Sequence, residues 1–142
     1  MSSAPIAGRR RPARHRHSFA NLVVLALLRS PAHALVDAGM CELRYVGRAS
    51  GRRYALPVMF ARVDERLVVL VGDAPAKRWW RNFRAPGPVE VRHRGKVTPA
   101  VARILDPADD GYGVAVRAYT QRHNLVPEPT DRLLVIDPSE GV

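Results

Sequence analysis

A mainly β chain with helices, of the α+β class and built on a small antiparallel barrel of about six strands, is predicted by three observations. From Cys41 onward short apolar runs alternate with a period of two, and tight turns containing Gly, Asp or Pro separate them. Helical spacing is confined to a stretch near the start, a tryptophan-bearing insertion and a stretch near residue 115. The 12 prolines among 142 residues favour strand ends and turns over helix interiors.

Residues 1–17 carry five arginines and no acid among Pro, Gly and Ser, and read as a disordered basic tail. Residues 18–142 form one domain by length. Ser18 can cap a helix over Phe19 to Arg29, and Pro31 starts a second helical turn that reaches Ala38 before Gly39 stops it, giving an N-terminal helical region 19–38. Phe19, Leu22, Val23, Leu27, Leu35 and Val36 supply its apolar surface. The run Leu22 to Leu28 is too short to span a bilayer, and it continues into Arg29-Ser30-Pro31 rather than into a cleavage site. The helix therefore packs on the domain or, alternatively, lies on a membrane surface with the arginine tail on anionic lipid.

Cys41 to Val46, Arg53 to Val63 and Arg66 to Val71 read as a three-stranded meander. Pro75 opens a helix with the body Ala76 to Arg84, which Pro86-Gly87-Pro88 terminates. Val89 to His93 and Val97 to Leu105 form a hairpin around Arg94-Gly95. Asp106 or a neighbour caps a C-terminal helix over Ala108 to His123, and Leu133 to Ile136 is the last strand.

The net charge of +10 is unevenly placed. Arg44 to Lys96 hold thirteen basic residues against Asp64, Glu65, Asp73 and Glu90, while the segments on either side of it, apart from the tail, are slightly acidic. Positive charge gathers around turns rather than along one helix, and Trp79-Trp80 is the single close aromatic pair, so nucleic acid is disfavoured as a partner. Scattered histidines, one cysteine and the absence of HExxH, CxxC, GxSxG, GxGxxG and Walker patterns exclude the usual metal, serine-hydrolase and nucleotide motifs. The lone Cys41 reads as a small core residue, and Asp109-Asp110 read as helix-start acids. No catalytic side chain and no metal ligand is assigned; reactive chemistry would belong to a bound organic cofactor.

The segment Gly47 to Phe60, GRASGRRYALPVMF, carries the most chemistry. Gly47 and Gly51 bracket a turn in which backbone amides and Ser50 can converge on phosphate oxygens, with Arg48, Arg52 and Arg53 supplying charge. A basic hairpin with solvated arginines accounts for the same residues equally well.

Together with LVVLVGDAPAKRWWRNFRAPGPVEV and VTPAVARIL, this segment resembles the deazaflavin (F-420)-dependent nitroreductase family, related by fold to the flavin-binding split β-barrels. The likeness extends over most of residues 18–137 and rests on Gly47-Arg48-Ala49-Ser50-Gly51, Pro57 and Trp79-Trp80-Arg81-Asn82-Phe83. It implies a split barrel that binds coenzyme F-420, an 8-hydroxy-5-deazaflavin, and an oxidoreductase that passes hydride to a quinone, nitroaromatic or activated alkene. On that resemblance Arg48, Ser50, Gly51, Arg52 and Arg53 grip the phosphate and acidic tail. Pro57, Val58 and Met59 line the ring pocket, Lys77 adds a tail contact, Trp79 stacks near the cofactor and Asn82 bonds a loop or helix end. Trp80 and Phe83 are core residues by their spacing. The expected protein is cytoplasmic, monomeric or homodimeric. The alternatives are an FMN- or haem-binding barrel protein and a non-catalytic basic module for membrane surface or nucleic acid.

Overall fold

The computed structural model describes residues 19–35 and 38–138. The expected tail, the Ser18 cap, Val36 and the side chains of Phe19 and Leu35 lie outside the described residues. The elements are α1 (Phe19–Arg29), a 3-10 turn (Pro31–Leu35), β1 (Met40–Val46), β2 (Arg53–Val63), β3 (Arg66–Val71), 3-10 turns at Ala74–Ala76 and Trp79–Phe83, β4 (Gly87–His93), β5 (Lys96–Leu105), α2 (Tyr112–His123) and β6 (Arg132–Pro138).

The six strands close a barrel in the order β1-β2-β3-β6-β5-β4, antiparallel throughout. The predicted hairpins hold, and the chain-terminal strand seals the barrel by entering between β3 and β5. Alternation sends Cys41, Leu43, Tyr45, Val58, Phe60, Val69, Val89, Val91 and Ile136 into the barrel core. A second apolar cluster lies outside, where Ala115 and Tyr119 of α2 cover Ala61, Val68, Leu133 and Val135.

Helix α1 packs on the barrel through a residue outside the expected apolar set. Leu28 is 1% exposed, whereas Leu22 and Val23 are 59% and 41% exposed. Burying that one leucine contributes roughly 1.5–3 kcal/mol. Beside it lies Glu42, which points outward from β1 yet is 0% exposed. Arg29 closes over it with a 2.6 Å Nη2–Oε2 bond, and Arg92 Nε stands 3.2 Å from Oε1. A buried carboxylate is tolerable only with such partners, so Glu42 fixes where α1 sits on the sheet.

Two expected helices come out differently. The insertion is not an α-helix over Ala76 to Arg84: Asp73 is left-handed (φ 54°), Lys77 is extended (φ −121°, ψ 156°), and only 3-10 turns form. Trp80 explains the break. Its indole N–H donates to the carbonyls of Ala74 (2.8 Å) and Lys77 (3.1 Å), groups that a continuous helix would pair with later amides. The buried carboxylate of Asp131 holds the start of the insertion by accepting from the Asp73 amide at 2.8 Å. The second helix starts at Tyr112 rather than Ala108, because Asp106 Oδ1 accepts from the Ala108 amide and Asp109 Oδ2 from the Asp106 amide, stabilising turns over residues 106–110.

At the far end of α2, His123 Nε2–H donates to the Phe60 carbonyl at 2.7 Å. Burial lowers the His123 pKa, outweighing the bond to Phe60 that raises it, and Arg122 adds repulsion. The unfolded chain therefore binds a proton at higher pH than the folded one, and stability falls as pH drops below about 6.5. Denaturant titrations at pH 7.5, 6.5 and 5.5 should show this loss, and H123Q should reduce the slope; an unchanged slope would exclude His123 as its source. E42Q should cost about 2 kcal/mol in urea unfolding and speed amide exchange in α1. A change below about 0.5 kcal/mol would mean that Glu42 does not fix the helix.

Candidate functional site

The turn between β1 and β2 is built as the glycines require. Gly51 has φ +71°, and its amide donates to the Gly47 carbonyl at 2.9 Å, while the Gly47 amide donates to the Arg52 carbonyl at 2.8 Å. A Cβ on Gly47 would come within 2.9 Å of both Ser50 Oγ and Tyr54 Cε2. Ser50 Oγ accepts from the Arg52 amide (3.1 Å) and meets the Tyr54 hydroxyl (3.2 Å). Tyr54 stacks on Tyr45 at 5.4 Å between ring centroids, and Tyr45 meets the edge of Phe83 at 5.4 Å. Burial pushes the Tyr45 phenol up to about 12, with Tyr54 adding to the rise, so Tyr45 stays neutral near neutral pH.

The tryptophan turn docks against this hairpin through Asn82. Its Oδ1 accepts from the Arg48 amide at 2.8 Å, and its Nδ2 donates to the Trp79 carbonyl at 2.8 Å. One side chain thus joins two segments 34 residues apart. Oδ1 reaches the β1–β2 turn, while Nδ2 bonds a carbonyl of Asn82's own 3-10 turn.

Four amides of the turn, those of Gly47, Arg48, Gly51 and Arg52, are taken up within the protein. Anion binding there falls mainly to side chains. Arg48, Arg52 and Arg53 are all exposed, and none forms an ion pair among the described residues. Five other arginines, including Arg66 and Arg103, do pair with carboxylates. The structure therefore gathers three unneutralised guanidiniums on one turn, beside the Ser50 hydroxyl.

Strand β2 leads away from the turn with an open edge. It pairs with β1 along residues 53–59, but its register with β3 begins only at Phe60. The Phe60 amide donates toward β1, to the Gly39 carbonyl at 3.0 Å, so alternation turns the nitrogens of Ala55 and Pro57 toward the open edge. Pro57 consequently forfeits no ladder bond. The three predicted ring-lining residues divide between two faces: Val58, 6% exposed, packs in the core, while Pro57 and Met59 face outward.

Lys77 Nζ donates to the Gly72 carbonyl at 2.6 Å, and Trp79, like Leu56, packs partly buried against the barrel core cluster. Trp80 and Phe83 are buried, as their spacing predicts, and Arg84 lies over the Trp80 ring at 5.3 Å. Cys41 is buried among apolar residues; burial pushes its thiol up to about 12, which keeps it protonated and unreactive. No group of three metal-ligating side chains occurs among the described residues. Tyr54 and Asp131 support the site and were not anticipated. Tyr54 lies on the inward alternation of β2, a signal present in the sequence, whereas the long-range bond of Asp131 has none.

F-420, with a phosphate and acidic tail that need unneutralised cations and a planar ring that needs backbone donors, would fit Arg48, Arg52, Arg53 and the free β2 edge. Two cavities, of about 470 Å³ and 370 Å³, are lined by other residues.

Comparison with known proteins agrees. The model of the F420H(2)-dependent quinone reductase family matches residues 32–135. No curated protein matches the chain. Among solved structures, HutZ, the haem storage protein from Vibrio cholerae, is similar with a TM-score of 0.58, 16% identity and coverage of 72% of this chain and 83% of that one. An F420-H2 dependent reductase (FDR-A) has a TM-score of 0.50, 20% identity and coverage of 72% and 96%. A putative pyridoxamine 5'-phosphate oxidase from Listeria innocua has a TM-score of 0.53, 16% identity and coverage of 83% and 92%. These structural likenesses establish the split-barrel fold, and the sequence match over most of the chain establishes more: the protein belongs to the F420H(2)-dependent quinone reductase family and is an oxidoreductase of that cofactor class.

Proposed function

We propose that the protein transfers hydride from reduced F-420 to a quinone, and that nitroaromatics and activated alkenes are accepted less specifically. The observation that carries this reading is the set of three unpaired arginines at the head of a β-strand whose first half has an open edge. When bound, reduced F-420 supplies the hydride. The chain's own residues bind, orient and exclude water.

Arg48, Arg52 and Arg53 hold the phosphate and acidic tail by charge-assisted bonds, with the Ser50 hydroxyl and the left-handed Gly51 shaping the turn. Lys77 lies at the neighbouring insertion and adds charge on the tail side. Pro57 and Met59 present an apolar outer face for the ring, and Val58 anchors that stretch of strand from within the core. The Ala55 amide faces the open edge and offers a donor to the ring system. Trp79 provides an aromatic wall. Asn82 acts through position: it keeps the Arg48 amide and the tryptophan turn together, so the two halves of the shelf keep one spacing.

Fluorescence titration should show low-micromolar binding of F-420, with FMN and haemin much weaker, and menadione should be reduced at the expense of reduced F-420. Tighter binding of FMN or haemin would overturn the assignment. Substituting Arg48 and Arg53 together by Ala should weaken F-420 binding at least about tenfold and flatten its dependence on salt. N82A should weaken binding by about tenfold as well, with the salt dependence retained because no charge is removed. A flattened salt dependence in N82A would argue against a positioning role.

A further inference from the structure

The larger cavity, about 470 Å³, lies at the other end of β2. Phe60, Ala61 and Arg62 form one wall, the last turns of α2 contribute Ala118, Gln121 and Arg122, and Ala38 closes a side. Arg53 and Ala61 stand eight residues apart along β2, roughly 26 Å at the rise of a strand, so this cavity is separate from the basic turn.

Its two flanking arginines are each held by a neutral group. The Arg62 guanidinium lies over the Phe60 ring at 5.6 Å, and Arg122 Nη2 donates to the Ala38 carbonyl at 2.7 Å. Both anchors are neutral, and neither arginine forms an ion pair among the described residues. Among the described residues no carboxylate lines the cavity; His93 at the end of β4 and Arg94 of the turn after it add polar lining. Each guanidinium is therefore positioned by one contact while most of its donors stay unfilled. Such groups pair with carboxylates in a two-point geometry. Ala38, Ala61 and Ala118 add methyl groups to the lining, the volume has room for an apolar body of about aromatic-ring size, and Gln121 adds a neutral amide.

We propose that this cavity binds a small organic carboxylate with an apolar body, the carboxylate lying between Arg62 and Arg122. The site does not depend on the cofactor assignment. Two-dimensional NMR of the full-length ¹⁵N-labelled protein with sodium benzoate to about 10 mM tests it, with benzamide as the neutral isostere. Benzoate should shift the amides of Ala118, Gln121 and Arg122, benzamide should not, and R62Q and R122Q should each weaken benzoate binding about tenfold. F-420 binding should be unchanged in R62Q, and benzoate binding unchanged when Arg48 and Arg53 are replaced, so the two sites fail or stand separately. Absence of shifts, equal response to benzamide, or binding unaffected by both variants would overturn the proposal.

Discussion

Strand β2 has eleven residues, and only its last four are in register with β3. That mismatch governs much of the molecule. It leaves residues 53–59 bonded on one side alone, which makes room for a proline without losing a ladder bond and exposes backbone donors on a sheet otherwise closed into a barrel. It also means that the Gly47–Arg53 turn receives no support from β3. Support comes instead from the tryptophan insertion, through the two bonds of Asn82 and the edge contact of Phe83 with Tyr45, on which Tyr54 stacks. Asp131 holds the base of that insertion, and Trp80 takes two of its carbonyls. The basic turn and the tryptophan insertion are thus two irregular segments braced against each other over a regular core.

Charge on this protein is organised by whether it is neutralised. Around Glu42 three arginines approach one buried carboxylate, and the outcome is structural, a fixed seat for α1. On the basic turn and beside Phe60 no guanidinium pairs with a carboxylate among the described residues. Those groups keep their donors for an anion, and exposure keeps their desolvation cost low. The same residue type does opposite work because, among the described residues, a carboxylate stands in one place and not in the other.

The alternation from Cys41 to Val71 and the Arg94-Gly95 hairpin were legible because a side-chain period of two and a left-handed turn leave local marks. The basic turn was legible for the same reason, since Gly51 does adopt positive φ. The tryptophan segment misled because Ala76 to Arg84 has helical spacing, and the competing donor is an indole whose partners are fixed only by folding. The start of α2 misled because Asp106 and Asp109 turn their side chains onto nearby amides, an outcome close in energy to a capped helix. Within the site, period two already separates Val58 from Pro57 and Met59, yet a list of ring-lining residues merges both faces.

By itself the sequence determined the strands, the core face of each, the clustering of arginine on one turn and, through its motifs, the F-420 family, because these depend on local spacing and residue chemistry. Tertiary structure alone decided that β6 enters between β3 and β5, that β2 keeps an open edge, that Asn82 joins residues 34 positions apart, and which arginines remain unneutralised. Each of these is a pairing between distant segments, and a pairing is set by the free energy of the whole closed barrel rather than by the preferences of either segment.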